Sequence, residues 1–205
     1  MSMRTVYRLA IGTLAGEPEG KVVFESHFDK WQWLPITPSM ADGGRKVFKA
    51  GGQLAYEYRG PLFRVPEGFN LPAGRMVEGP VAFKGASVLF DPTDGDLNAG
   101  LHRPFNDLLR RNRRYAFKVA LKGQGTFHFR AWINGSDPAV GKTQWLGFPD
   151  LITIKVAEEW HVYEGAFELP DLSKPPFRME EPVSAAIVIE KGARIFLDDF
   201  VIFEK

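Results

Sequence analysis

Two consecutive segments of alternating residues, 115–122 and 126–133, constrain the fold of this chain more than any other feature. Every second residue of YAFKVALK and of TFHFRAWI is apolar. Because successive side chains of a β-strand point to opposite faces, each segment is predicted to be a strand that buries one face. Residues 123–125 (GQG) predict a turn between the two strands, and Asn134-Gly135 predicts a turn after the second one.

The rest of the chain is divided into short apolar segments in the same way. Its 21 Gly and 15 Pro residues are spread along the whole length, which is typical of many strands joined by turns. One segment, 103–113, is a candidate for a turn or two of helix, and the long connections 61–80 and 91–108 are interpreted as functional loops or disordered segments. These features predict an all-β fold, a two-sheet antiparallel β-sandwich of the jelly-roll type, in one domain over residues 21–205. Further strands are predicted over 22–25, 53–58, 86–90, 151–156, 160–169, 185–190 and 194–203.

The charge balance argues against two classes of partner. Lys and Arg together number 26 and Asp and Glu 25, so neither nucleic acid nor an anionic membrane is expected as the main partner. The basic cluster within 110–114 is interpreted as a solvated turn, with a polyanion contact as the alternative. No apolar run reaches the roughly 20 residues that span a bilayer, so membrane insertion is not expected.

Catalytic patterns are equally scarce. The chain has no G-x-S-x-G elbow, no P-loop and no G-x-G-x-x-G segment. It contains no Cys, which excludes thiolate metal sites and a cysteine nucleophile, and its four histidines include no pair at a helical metal spacing. No particular pair of carboxylates suggests a glycosidase. The chain is therefore predicted not to be an enzyme.

The polar face of the second alternating strand suggests a ligand. His128, Arg130 and Trp132 share this face, while the opposite face is wholly apolar. A tryptophan ring stacks on the apolar face of a sugar, and neighbouring polar groups bind its hydroxyls. Gln144 and Trp145, on the next segment, are predicted to contribute to the same site. The alternative is that Trp132 packs under a loop or against a neighbouring subunit.

Two adjacent carboxylates, Asp198 and Asp199, lie within the apolar segment 195–203. Since neighbouring side chains in a strand point to opposite faces, one of the two is predicted to point inward. A buried carboxylate is costly unless it is paired, hydrogen-bonded or bound to a cation. Hydrogen bonds to backbone amides or to an arginine remain one interpretation, and a cation remains the other.

In order along the chain, these elements resemble the jelly-roll carbohydrate-binding modules of families 4, 9, 16 and 22. The matching segments are VVFE at 22–25 followed by Trp31, RRYAF at 113–117, EWHVYEGAF at 159–167 and IFLDDFVI at 195–202. The resemblance implies a non-catalytic domain that binds a polysaccharide or an oligosaccharide, and a bacterial protein that is extracellular or on the cell surface.

The same resemblance implies a structural calcium ion. Its ligands would be Glu25 together with Asp198 or Asp199, and it would tie the first strand of the module to the last one. Calcium prefers such hard oxygen ligands. The resemblance also implies that Trp160 is a core residue.

A second function uses the same fold. Residues 1–20 precede the resembling region and contain apolar residues in a strand-like order. They look superficially like a signal peptide, but Arg8 interrupts the apolar stretch. Such an arm could add a strand to the sheet edge of a second copy. The alternative prediction is therefore a structural self-assembly subunit, a homo-oligomer of a filament, sheath or surface layer.

Overall fold

The computed structural model describes residues 20–29, 77–92 and 107–205 with their side chains, and the backbone of short strands elsewhere. Apart from one short 3-10 helix at Gly79–Val81, the regular elements among these residues are strands. In chain order they are β1 (Arg8–Leu9), β2 (Lys21–Ser26), β3 (Trp31–Pro35), β4 (Arg45–Ala50), β5 (Gln53–Tyr58), β6 (Leu62–Pro66), β7 (Arg75–Glu78), β8 (Ala86–Phe90), β9 (Leu97–Ala99), β10 (Arg114–Gln124), β11 (Thr126–Asp137), β12 (Lys142–Gly147), β13 (Asp150–Lys155), β14 (His161–Glu168), β15 (Arg178–Met179), β16 (Ser184–Ile189) and β17 (Arg194–Glu204).

The first sheet is organised around β17. This strand pairs with β10 along one side, and on its other side with β8 near its beginning and with β2 near its end. Beyond β10 the sheet continues through β14 to β1, and beyond β8 it continues to β7. All of these pairings are antiparallel, as an all-β sandwich requires.

The second sheet is organised around β11 in the same way. Strands β13 and β12 pair with β11 on one side, β16 and β15 pair with it on the other, and β9 adds to β16. Residues 123–125 carry the chain from the first sheet to the second, so β10 and β11 are not a hairpin. Gly123 and Gly125 have φ angles of 133° and 121° at this corner, which side chains other than glycine rarely adopt.

The core lies between the two sheets and is rich in aromatic rings. Phe200 of the first sheet meets Phe127 and Phe129 of the second edge-on, with ring centroids 5.9 and 5.5 Å apart. Tyr115 stacks on Phe167 at 5.3 Å. Edge-on and offset arrangements of this kind are the favourable ones for aromatic pairs. The predicted fold class, a two-sheet antiparallel β-sandwich, is confirmed.

Several local predictions were wrong. Asn134-Gly135 does not form a turn, because β11 continues through it to Asp137. The reversal occurs at residues 138–141, where the Gly141 amide donates to the Asp137 carbonyl at 2.8 Å. The described part of the candidate helix, 107–113, consists of turns and a bridge. The connections predicted to lack strands contain β6, β7 and β9.

The N-terminal arm contributes one short strand to the sandwich. Strand β1 pairs antiparallel with β14 of the same chain, Arg8 opposite Glu164 and Leu9 opposite Tyr163. Most of the predicted arm, 1–20, lies outside the described residues, so its role in assembly and the boundary at residue 21 stay predictions. Among the described residues, no helix is long and apolar enough to cross a membrane.

Candidate functional site

The outer face of the second sheet carries the predicted ligand-binding residues of β11. Phe127, Phe129, Ala131 and Ile133 point into the core and are fully buried. The alternation of the strand therefore turns His128, Arg130 and Trp132 outward. Their exposure differs sharply: Trp132 is 39% exposed, whereas His128 is only 6% exposed. The prediction of an outward polar face is right for Trp132 and Arg130, while His128 is buried on that face.

Trp145 joins Trp132 because of a bulge between β11 and β12. Ile133 lies opposite Gly147 but Asn134 lies opposite Trp145, so one extra residue of β12 fits between these pairs. Trp145 therefore shares a face with Asn134, two residues beyond Trp132. The two indole rings lie 6.1 Å apart at an interplanar angle of 42°, and Trp145 is 56% exposed.

Phe148 completes this aromatic group. Its ring meets Trp132 edge-on at 5.4 Å, and the Arg130 guanidinium lies 5.6 Å from the centroid of the Phe148 ring. We call Trp132, Trp145 and Phe148 the aromatic platform. Each ring in it touches a neighbour, which limits the freedom of the exposed rings before any ligand binds.

An ionic network lies beside the platform. Oδ1 of Asp150 accepts a hydrogen bond from Arg130 Nε at 2.6 Å and lies 3.1 Å from His128 Nδ1. Nε2 of His128 lies 3.3 Å from Glu190 Oε1 without the alignment of a hydrogen bond, so it has no hydrogen-bond partner among the described residues. Sequence reasoning missed Asp150 and Phe148, although both lie within three residues of β12.

Gln144 does not share the face of the platform. It is exposed, but it lies opposite Gly135 while Trp145 lies opposite Asn134. Neighbouring residues of β12 point to opposite sides of the strand. The structure thus brings together Arg130, Trp132 and Trp145 of the predicted ligand-binding set, with His128 beneath them and Gln144 apart.

Neither of the two adjacent carboxylates points into the core between the sheets, so the prediction that one of them points inward was wrong. Asp198 is completely buried on the outer side of the first sheet, where the segment 79–85 covers it. Its Oδ2 accepts hydrogen bonds from the Ser87 hydroxyl at 2.9 Å and from the Lys84 amide at 3.2 Å, and its Oδ1 accepts one from the Asp199 amide at 2.8 Å. Burial raises the pKa of Asp198, and the hydrogen bond from Ser87 opposes this effect.

Asp199 is held by two side chains, the imidazole of His27 and the ammonium group of Lys84. It adopts a φ of 43°, in the left-handed region, at a bulge in the pairing of β17 with β10. Its Oδ1 lies 2.7 Å from His27 Nδ1, its Oδ2 lies 2.9 Å from Lys84 Nζ, and Nε2 of the same histidine lies 2.9 Å from Glu25 Oε1. Burial acts to raise the pKa of Asp199, but the hydrogen bonds from His27 and Lys84 outweigh it and lower the pKa.

The pKa of His27 is shifted in the opposite direction, upward. The hydrogen bond to Asp199 is the main cause that raises the pKa of His27, while burial works against it. The cluster ties the end of β2 to β17, which is the connection that the resemblance attributes to calcium.

These residues do not fit a calcium ion well. Both oxygens of Asp198 already accept hydrogen bonds from protein donors, and Asp199 and Glu25 face the imidazole of His27. Within the described ranges, no group of three or more His, Asp or Glu side chains is placed to hold a metal ion. The predicted calcium site stays a prediction, and the hydrogen-bonded interpretation accounts for the observed partners of Asp198.

Trp160 packs outside the core. It is half-buried on the outer side of the first sheet, where its Nε1 donates to the Val81 carbonyl at 3.2 Å. Its ring contacts Phe83 at 5.3 Å and Phe196 at 6.3 Å. Trp160 therefore fastens the segment that covers Asp198.

Comparison with known proteins gives matches at the level of structure. No family model matches the chain, and no curated protein is similar to it in sequence. The chain resembles solved carbohydrate-binding modules. One structure contains the family 22 module and the catalytic module of endo-1,4-beta-D-xylanase 10B from Clostridium thermocellum with xylohexaose (14% identity, 91% of this chain and 29% of that chain covered, TM-score 0.44).

Two further structures are isolated modules. A family 22 xylan-binding domain from Paenibacillus barcinonensis is 15% identical over 92% of this chain and 97% of that chain, with a TM-score of 0.35. A family 29 carbohydrate-binding module is 10% identical over 84% of this chain and 90% of that chain, also with a TM-score of 0.35. All of these TM-scores are below 0.5, so the similarity carries no argument about function.

Proposed function

We propose that this chain is a non-catalytic carbohydrate-binding domain that holds a polysaccharide or an oligosaccharide on the aromatic platform. The observation that carries the proposal is the pair of exposed indole rings, Trp132 and Trp145, 6.1 Å apart on one face of the second sheet. Exposed tryptophans in mutual contact are unusual on a protein surface, and an exposed apolar patch commonly marks a site that a ligand or partner covers.

Sugars suit this surface chemically. One face of a pyranose ring presents mainly C–H groups, which pack on an aromatic ring, while its hydroxyls lie around the rim and need hydrogen bonds. Two indoles at an angle of 42° offer two stacking surfaces of different orientation, which suit two sugar rings of one oligosaccharide better than a single sugar ring.

Arg130 is the proposed source of hydrogen bonds. Its Nε donates to Asp150, and its guanidinium carries four further N–H donors that we assign to sugar hydroxyls. The salt bridge with Asp150 offsets its charge, so the site suits a neutral glycan. We place this activity outside the cell or on its surface, where polysaccharides are met.

Titration of intrinsic tryptophan fluorescence with a panel of soluble glycans tests the proposal. We expect at least one glycan to change the emission of the wild-type chain, and Trp145→Ala to weaken its binding at least about tenfold, as loss of a tryptophan anchor does. Trp160→Phe is the matched control, because Trp160 lies on the first sheet away from the platform. Absence of binding to every glycan of a broad panel would contradict the proposal.

A further inference from the structure

Asp150 joins two polar residues of β11, Arg130 and His128, at a single oxygen atom. Arg130 Nε and His128 Nδ1 both approach Oδ1 of Asp150, at 2.6 and 3.1 Å. A bulge makes this possible: Phe129 lies opposite Ile152 but Arg130 lies opposite Asp150, so Leu151 fits between these pairs. Leu151 enters the core, and Asp150 is left on the outer face beside Arg130.

A continuous series of contacts leads from this carboxylate to the exposed rings. Asp150 holds Arg130, whose guanidinium lies 5.6 Å from the centre of the Phe148 ring. Phe148 meets Trp132 edge-on at 5.4 Å, and Trp132 meets Trp145 at 6.1 Å. A charge-assisted hydrogen bond as short as that of Asp150 restrains the arginine strongly. The fixed guanidinium of Arg130 therefore restrains Phe148, and through ring contacts it also restrains the exposed tryptophans of the platform.

We propose that Asp150 is a positioning residue for the aromatic platform. The proposal rests on the proposed function, since it assigns Asp150 a role in glycan affinity without contact with the sugar. Asp150 acts through Arg130: it keeps the guanidinium against Phe148 and thereby holds Trp132 ready for stacking. Side chains that are fixed before binding lose less entropy when the ligand arrives.

His128 holds the same carboxylate from beneath. Its Nδ1 lies 3.1 Å from Asp150 Oδ1 and 3.4 Å from Thr153 Oγ1, and its Nε2 lies 3.3 Å from Glu190 Oε1. Because His128 is buried, its contact helps to fix the carboxylate that holds Arg130.

Near-ultraviolet circular dichroism of the ligand-free full chain tests the support directly, because coupled aromatic rings dominate this signal. We expect Asp150→Ala to change the tryptophan band, to lower glycan affinity about fivefold to tenfold and to lower the urea midpoint only slightly, since Asp150 is exposed and exposed ion pairs add little stability. Arg130→Gln should give the same spectral change, and the double variant should add nothing to it. Glu158→Gln, an exposed carboxylate in the turn before β14, is the control for loss of one negative charge.

The tryptophan band and the glycan affinity together decide between the outcomes. A tryptophan band that is the same in Asp150→Ala and in the control overturns the proposal, and so do additive effects of Asp150→Ala and Arg130→Gln. If the spectral coupling is found but no glycan binds the wild type, the proposed function fails while the support of the platform stands.

Discussion

Replacing Asp198 by alanine should destabilise the fold strongly without any involvement of a metal. The substitution leaves three donors in a buried site without their acceptor: the Ser87 hydroxyl and the backbone amides of Lys84 and Asp199. Each unsatisfied buried donor costs about 1–3 kcal/mol. Burial also raises the pKa of Asp198, so its ionised form is already penalised and part of the loss is offset. We therefore expect the free energy of unfolding to fall by about 3 kcal/mol.

Urea denaturation, run in parallel with calcium and with chelator, measures this loss and separates the two interpretations of Asp198. If hydrogen bonds hold the segment 79–85, the loss is the same in both buffers, and Ser87→Ala costs about 1 kcal/mol. For a domain of this size, a loss of 3 kcal/mol corresponds to a fall in Tm of roughly 6–12 °C. A loss below about 1 kcal/mol would refute the reasoning, and a loss that disappears in chelator would establish the calcium site instead.

Three further predictions concern other parts of the molecule. The wild type should be more stable than His27→Gln by about 0.2–1 kcal/mol in free energy of unfolding, the usual contribution of an exposed ion pair. This difference should be complete below pH 6.5 and should vanish as the pH rises through the raised pKa of His27. A stability difference that grows with pH contradicts this. Trp145→Ala should cost only about 0.5–1.5 kcal/mol of stability in urea, since one ring contact is lost, and Trp132→Ala should cost more because it loses two; equal costs argue against the arrangement of the platform. Gly123→Ala should lower stability by more than about 3 kcal/mol, since its Cβ would lie 2.0 Å from a carbonyl oxygen. Gly141→Ala, whose Cβ would lie in open space, should cost about 1–2 kcal/mol. Similar thermal midpoints for the two variants would show that the corner at Gly123 is not constrained.

The regular half of the fold could be predicted from the sequence because one face of each strand is buried. The alternation in 115–122 and 126–133 agrees with β10 and β11, and the segments 53–58 and 86–90 agree with β5 and β8 at both ends. Strand partners could not be predicted, since alternation shows which face is buried and not which sheet a strand joins. The glycines at 123 and 125 therefore predicted a turn between the two strands but not that this turn is the corner between the two sheets.

The candidate site was predictable only in part, for a similar reason. Trp132 and Arg130 follow from the alternation of β11, but the partnership with Trp145 depends on a bulge, and bulges leave no clear mark in a single sequence. His128 is on the predicted face but is buried. Asp150 follows the end of β12, where nothing in its neighbours indicates that it pairs with Arg130. The Asp137-Pro138 dipeptide, with Gly141 after it, was the available signal for the true turn.

The order of the strands around β17 has a consequence for how the chain folds during synthesis. Every strand that pairs with β17 precedes it in the chain, and β17 separates β10 from β8 and β2. Until the ribosome has released β17, the first sheet consists of edges without their central partner, with the apolar rings that pack on Phe200 still uncovered. Such long-range pairing is slow and leaves strand edges open to association with other chains. Nascent chains stalled before residue 194 should therefore be held by chaperones, and folding of the sandwich should begin once β17 has emerged.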